Sequence, residues 1–216
     1  MALAADLRSG IMMMPVLDSD SLEVLAFRLD AEPEAIRAIG DCLSEDEFRR
    51  AEVLRLERDR RRFVATRGQL RHLLASRLGV LPSDVELEYG RVGKPCLSRR
   101  MPDQSLRFSV SRSEDVAVIA LSKAREVGVD IEAVRPVPET DDIAALCFSA
   151  PEYESYRNLR PEERLEGFLR SWTRLEAISK AFGCGLGGPF PSNERDFTVI
   201  TFVPKPAYIG TVVVRN

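Results

Sequence analysis

Histidine, tryptophan and paired cysteine are what this chain has least of. Its 216 residues include one histidine, one tryptophan and four cysteines. Cys42, Cys96, Cys147 and Cys184 are scattered with no Cys-x-x-Cys pair, so neither a zinc site nor a dithiol redox centre is indicated. They read as packing residues of a reducing compartment. His72, the lone histidine, lies in an arginine-rich helical stretch and reads as structural; a Ser-His-Asp hydrolase would depend on it, and no nucleophile-elbow motif accompanies it. No apolar run is long enough to span a membrane. The apolar patch from Ile11 to Leu17 is short, contains Pro15 and lacks the organisation of a signal peptide. The expected location is the cytoplasm, with no membrane partner.

A chain of this length makes one large domain or two of about 100 residues each, and 44% hydrophobic content supports a real core. The net charge of −3 conceals an imbalance, because residues 45–78 carry ten arginines against six acids. With no global basic bias, this run reads as a solvated helical face with internal ion pairs rather than a nucleic-acid surface, and a smaller polyanion stays open.

Apolar alternation at Leu25, Phe27 and Leu29 predicts a strand over 22–29. Ser44 with Glu47 is a capping-box start, continued by Phe48, Ala51, Val53, Leu54 and Leu56. Phe63, Leu70, Leu73 and Leu74 mark a second helix ending at Gly79. A strand is expected over 85–89, a loop over 90–102, and a hairpin of 106–110 with 116–121 around Ser111–Asp115. The order then repeats. A shift of 105 places Val24 on Val129, Ser44 on Ser149, Phe48 on Tyr153, Phe63 on Phe168 and Leu70 on Leu175, with strands expected at 196–203 and 207–214. One α+β unit used twice is the expectation.

Two stretches carry the chemistry. In Val127-Gly128-Val129-Asp130-Ile131-Glu132, strand alternation turns Val129 and Ile131 toward a core and sets Asp130 and Glu132 together on the opposite face. In Trp172-Thr173-Arg174-Leu175-Glu176-Ala177-Ile178-Ser179-Lys180, helical spacing puts Glu176 and Lys180 on one face. Singly, the first is an ordinary solvated polar face and the second a surface ion pair worth about 0.3–0.5 kcal/mol. If strand and helix pack together, three carboxylates and an ammonium converge, a set suited to Mg2+ with substrate phosphates completing its octahedron.

Together the two stretches closely resemble the signature of the Sfp-type 4′-phosphopantetheinyl transferases, a Gly-hydrophobic-Asp-hydrophobic-Glu strand followed by a Trp-x-x-Lys-Glu-x-x-x-Lys helix. The resemblance covers about Leu43 to Leu186. It implies an α+β pseudo-dimer of two similar halves, here 1–126 and 127–216, with the coenzyme A site in the cleft between them. It implies transfer of the 4′-phosphopantetheine arm from coenzyme A to a serine of an acyl or peptidyl carrier protein, by a monomer that needs Mg2+ and no nucleic acid. Asp130, Glu132 and Glu176 would hold the metal, Glu176 would act as base, and Lys180 would neutralise phosphate charge. Gly93-Lys94-Pro95, Ser111 and Arg112 would line the nucleotide end of coenzyme A, with Arg62 at its 3′-phosphate. Trp172 reads as a core anchor. The arginines of 49–77, Arg49, Arg50 and Arg55 among them, would steer an acidic carrier.

Two departures stand out. Arg112 occupies the place of the family's histidine, and Leu175 that of the lysine before the helix glutamate. Arginine holds phosphate but cannot exchange a proton near neutral pH. These departures keep open a noncatalytic relative that only binds coenzyme A or a carrier; an unrelated magnesium-dependent phosphohydrolase ranks last.

Overall fold

The computed structural model describes residues 11–188 and 193–216. Strands β1 (Met13–Asp18), β2 (Leu22–Arg28), β5 (Leu106–Ser113) and β6 (Val116–Lys123) form an antiparallel sheet in the order β1-β2-β6-β5. Strands β3 (Leu87–Tyr89) and β4 (Pro95–Leu97) make a separate small hairpin. Strands β7 (Val127–Ala133), β8 (Phe197–Phe202) and β9 (Tyr208–Arg215) form a second antiparallel sheet, β7-β9-β8. The helices are α1 (Pro33–Gly40), α2 (Glu45–Glu52), α3 (Glu57–Leu78), α4 (Thr140–Cys147), α5 (Ala150–Arg157) and α6 (Pro161–Phe182). This is an α+β architecture.

The repeated order read from the sequence is present in the elements. A strand, three helices and two further strands occur twice, as β2-α1-α2-α3-β5-β6 with the β3-β4 hairpin interposed and as β7-α4-α5-α6-β8-β9, and β2-β6-β5 in the first sheet matches β7-β9-β8 in the second. Both capping boxes form, Ser44 with Glu47 and Ser149 with Glu152. The two 22-residue helices, α3 and α6, both stop at a left-handed glycine, Gly79 at φ 69° and Gly183 at φ 63°. Glycine adopts that conformation without the Cβ penalty other residues meet.

The layers follow from which residues face where. Leu25, Phe27, Ala117, Ile119 and Leu121 pack on α1 and α3 through Ile36, Ile39, Leu70, Leu73 and Leu74. The opposite faces of β2 and β6 (Val24, Ala26, Val118, Ala120) pack on Val127, Val129, Ile131, Val212 and Val214 of the second sheet. The two sheets thus lie face to face, and α6 covers the far side of β7 and β9 through Ala177, Ile178 and Ala181. Helices α4, α5 and α6 close a satellite core around Phe148, Tyr156 and Phe168.

Several sequence expectations are corrected. The apolar patch at 11–17 contains β1, paired to β2 through a register irregularity between Pro15 and Leu17. The expected loop 90–102 contains β4, and the strand expected over 85–89 begins only at Leu87. Helix α2 ends at Glu52, leaving Phe48, Val53 and Leu56 exposed where the periodicity placed a core face. Strand β5 runs to Ser113, not Val110, so the turn is only Glu114-Asp115 and Ser111 and Ser113 are strand residues. The arginine run is not uniformly solvated. Arg71 is buried, bonded through Nε to the equally buried Glu47 (2.6 Å) and through Nη1 to the Val85 carbonyl (2.9 Å).

Gly128 sets how closely α6 can lie on β7. A Cβ at this position would fall 2.0 Å from the Ala177 carbonyl oxygen and 2.4 Å from the Ala181 nitrogen, both backbone atoms that cannot swing aside. Gly128→Ala is therefore expected to lift α6 off β7 and lower the urea-unfolding free energy by about 2 kcal/mol. An unchanged urea midpoint would refute this.

Candidate active site

The site lies where β5 and β7, each at the edge of its sheet, run side by side. An edge strand presents unpaired backbone groups, and these need partners when buried. Along β7 the partners are side chains. The Val129 N–H donates to Ser109 Oγ (3.1 Å), the Ala133 N–H to Ser113 Oγ (3.1 Å), and the Val127 and Val129 carbonyls accept from Lys94 Nζ (2.9 Å) and Lys180 Nζ (3.2 Å).

Alternation sends Asp130 and Glu132 to the face that α6 covers. Asp130 is buried, 4% exposed, and its Oδ1 accepts from Lys180 Nζ at 2.6 Å and Ser111 Oγ at 2.7 Å. Its Oδ2 is buried without a hydrogen-bond partner. Glu132 accepts from Ser113 Oγ through Oε2 at 2.7 Å. Burial pushes the Glu132 carboxyl up; the Ser113 hydrogen bond opposes this, and the Asp130 charge adds to it. Glu176 is likewise raised, first by burial, with Lys180 opposing and Asp130 reinforcing. Asp130 and Lys180 act electrostatically on both Glu132 and Glu176. Among the described residues, however, no three His, Cys, Asp or Glu side chains stand close enough to hold a metal by themselves.

Trp172 stacks on Phe168, centroids 6.1 Å apart, and packs on the satellite core, which agrees with an anchoring role. Beside it a small pocket of about 170 Å3, lined by Val137, Ile143, Phe168 and Trp172, reaches Glu132.

The residues expected at the nucleotide end divide into two groups. Lys94 lies on a turn closed by Gly93 at φ 82°, and its ammonium bonds to Val127 O and Glu126 Oε2 (3.3 Å); burial lowers its proton affinity, with Glu126 opposing. Lys94 and Pro95 line a cavity of about 390 Å3 that extends to Arg107, Glu126 and Gly183. Elsewhere, Arg62 holds Asp30 with two 2.8 Å bonds and approaches Glu114 at 3.6 Å. Arg112 is exposed overall, yet protein around its guanidinium pulls its pKa down, with Asp59 opposing and the charges of Arg67 and Arg62 adding. A cluster that the sequence reading missed adjoins it: Arg50 and Arg67 lie over the Tyr89 ring at 3.9 and 5.8 Å, and Arg67 Nη1 is buried without a hydrogen-bond partner. The arginine excess was the only signal, and it did not say which arginines turn inward. A separate cavity of about 530 Å3, against Glu47, Arg71 and Ser98, lies away from the carboxylates.

The model of the 4′-phosphopantetheinyl transferase superfamily matches residues 126–212, and that of the 4′-phosphopantetheinyl transferase N-terminal region matches 30–124. The 4′-phosphopantetheinyl transferase HetI of a Nostoc species is 36% identical over 168 residues, spanning 78% of this chain and 71% of the relative. The chain belongs to the 4′-phosphopantetheinyl transferase superfamily. The transferase AcpT of Escherichia coli K12 is 40% identical over 124 residues, 57% of this chain and 58% of the relative. The human L-aminoadipate-semialdehyde dehydrogenase-phosphopantetheinyl transferase is 29% identical over 178 residues, 79% of this chain and 57% of the relative. No helix among the described residues is long and apolar enough to cross a membrane.

The raised Glu176 carboxyl has a consequence for stability. A carboxyl whose folded pKa lies above its unfolded value binds protons more tightly in the folded state, so its charged form costs stability at neutral pH and the cost fades as pH falls through the folded pKa. In metal-free buffer at pH 7, Glu176→Gln is expected to raise Tm by about 1–2 °C. The gain should shrink as pH is lowered to 4; a gain that grows instead would contradict the burial effect.

Proposed function

We propose that this protein transfers the 4′-phosphopantetheine arm of coenzyme A to a serine hydroxyl of an acyl or peptidyl carrier domain, releasing adenosine 3′,5′-bisphosphate. Its halves, 1–126 and 127–216, are read as a pseudo-dimer whose seam is the substrate cleft. The observation that carries this reading is Asp130, held at Oδ1 by Ser111 and Lys180 with Oδ2 left over, beside Glu132 and Glu176.

That donor set fits Mg2+, which takes one or two carboxylates and leaves its other positions to water and substrate phosphates. Asp130 and Glu132 would hold it directly or through water, with Glu176 completing the set, and when bound it would draw charge from the pyrophosphate of coenzyme A. The chain's own groups do the rest. Lys180 neutralises charge building on the phosphate oxygens. Glu176 accepts the proton of the carrier serine directly or through a water. The serine oxygen bonds to the arm-side phosphorus, the bridging P–O bond breaks, and the nucleotide leaves with the electron pair. Positioning and electrostatics supply most of the rate. The small pocket at Trp172, with Val137, Ile143 and Phe168 on its walls and Glu132 and Arg135 at its side, is assigned to the pantetheine chain.

The nucleotide end is assigned to Gly93, Lys94 and Pro95 with Arg112. Arg62 lends charge from behind, since Asp30 already occupies two of its donors. Arg67, with its free Nη1 and its place near Arg112, is added as a phosphate contact.

Intact-mass spectrometry of apo acyl and apo peptidyl carriers, incubated with the protein, coenzyme A and Mg2+, tests the reading. One carrier should gain one phosphopantetheine arm, and the gain should vanish with EDTA and in Glu176→Gln. Coenzyme A binding without transfer to either carrier would favour a binding-only relative, with Arg112 and Leu175 as the reason. Arg67→Ala and Arg112→Ala should each raise the KM for coenzyme A about tenfold while leaving kcat within a small factor. An equal rise with 3′-dephospho-coenzyme A would place these contacts at the pyrophosphate and not at the 3′-phosphate.

A further inference from the structure

We infer that Ser113 is a positioning residue for the phosphoryl-transfer site, fixing Glu132 through a hydroxyl that also closes the seam between the sheets. The inference rests on the transferase reading above. Three serines on one face of β5 meet β7 in register, and each does something different. Ser109 accepts the Val129 N–H and makes no hydrogen bond to a carboxylate among the described residues. Ser111 donates to Asp130 Oδ1 and accepts from Lys180 Nζ at 3.2 Å. Ser113 donates to Glu132 Oε2 and accepts the Ala133 N–H.

The chemistry of a hydroxyl makes this arrangement directional. It has one proton to donate, and at Ser113 the neighbouring N–H takes the acceptor role, so the proton goes to Glu132. The backbone of β7 thereby sets the position and polarity of the hydroxyl, and the hydroxyl sets the carboxylate. Glutamate has three rotatable bonds, and this contact holds its carboxylate in one place without consuming Oε1. Ser113 is itself buried, 9% exposed, so water does not readily replace it. Partners that orient a metal-binding side chain in this way commonly alter metal affinity by 10–100-fold when removed.

The test uses the full chain with Mn2+ as a paramagnetic probe, coenzyme A present, and free Mn2+ read by electron paramagnetic resonance. Ser113→Ala should weaken Mn2+ binding about tenfold and raise the Mg2+ concentration for half-maximal arm transfer by the same factor. Ser113→Thr, which keeps the hydroxyl, should restore most of the affinity. Ser113→Cys, with similar volume and a weak donor, should behave as the alanine variant does and replaces it if that variant fails to fold. Ser109→Ala removes a stitch of the same seam with no carboxylate contact, so its Tm should fall while Mn2+ affinity holds. Wild-type Mn2+ affinity in Ser113→Ala and Ser113→Cys, or an equal loss in Ser109→Ala, would overturn the inference and leave the transferase reading standing. A wild-type protein that neither binds Mn2+ nor modifies a carrier would overturn the transferase reading, and this inference with it.

Discussion

The contact on which the rest depends is the approach of α6 to β7 at Gly128, where helix backbone occupies the space a side chain would need. It fixes the geometry of the site by simple distances. Asp130 stands two residues beyond Gly128, about 6.6 Å along the strand. On α6, Lys180 sits between the two turns that touch Gly128, and its stem is long enough to reach Asp130. Glu176, one turn earlier, falls on the same side. A helix held farther away by even one methyl would leave Asp130 as a buried carboxylate without its ammonium, a costly state. The glycine of the motif is thus the condition for pairing the acid with the base.

The second constraint is the meeting of two sheet edges. Edge strands with buried polar groups invite either pairing or penalty, and here β5 and β7 are joined by side chains. The consequence for chemistry is that the groups completing the seam are the groups that hold the carboxylates. Lys180 shows this most fully: its three donors meet Asp130 Oδ1, Ser111 Oγ and the Val129 carbonyl. One acceptor is the candidate ligand, one belongs to the first sheet and one is strand backbone. With those three acceptors satisfied, Asp130 Oδ2 remains as the unpaired atom of the network. Burial with incomplete satisfaction is expensive, and such groups concentrate where function requires them.

Much of this was legible because the informative signals were local. Alternation in Val127–Glu132 placed Asp130 and Glu132 on one face, the Ser44–Glu47 capping box announced a helix, and Gly79 announced where the first long helix stops. What was not legible depended on partners far along the chain. Strand β1 is irregular around Pro15, and its identity comes from β2, whose two faces are both covered. The serines of β5 read as a turn because Ser-Arg-Ser carries no strand propensity; pairing with β6 extends the strand through them. Helix periodicity at Phe48 and Val53 pointed to a core that short α2 does not reach. The arginines of α3 were indistinguishable in sequence, yet Arg71 is paired with Glu47 in the interior, Arg62 is committed to Asp30, and Arg67 is left with a donor to spare.

The two departures from the family pattern acquire physical meanings of different kinds. Leu175 packs against the satellite core that holds Phe148, Tyr156 and Phe168, as its repeat mate Leu70 packs in the core under the first sheet. A lysine there would have to lay its stem along that cluster and carry its charge to the surface, so leucine exchanges a charge for packing. Arg112 lies among like charges, near Arg67 and Arg62, with Asp59 as the nearby counterweight. Guanidiniums crowded in this way repel one another, and a bound polyanion relieves the repulsion as well as attracting each of them. An imidazole in the same place would lose its proton under that pressure and offer little to a phosphate; an arginine stays charged throughout. In this setting the replacement keeps the positive charge that the neighbouring arginines would have taken from a histidine.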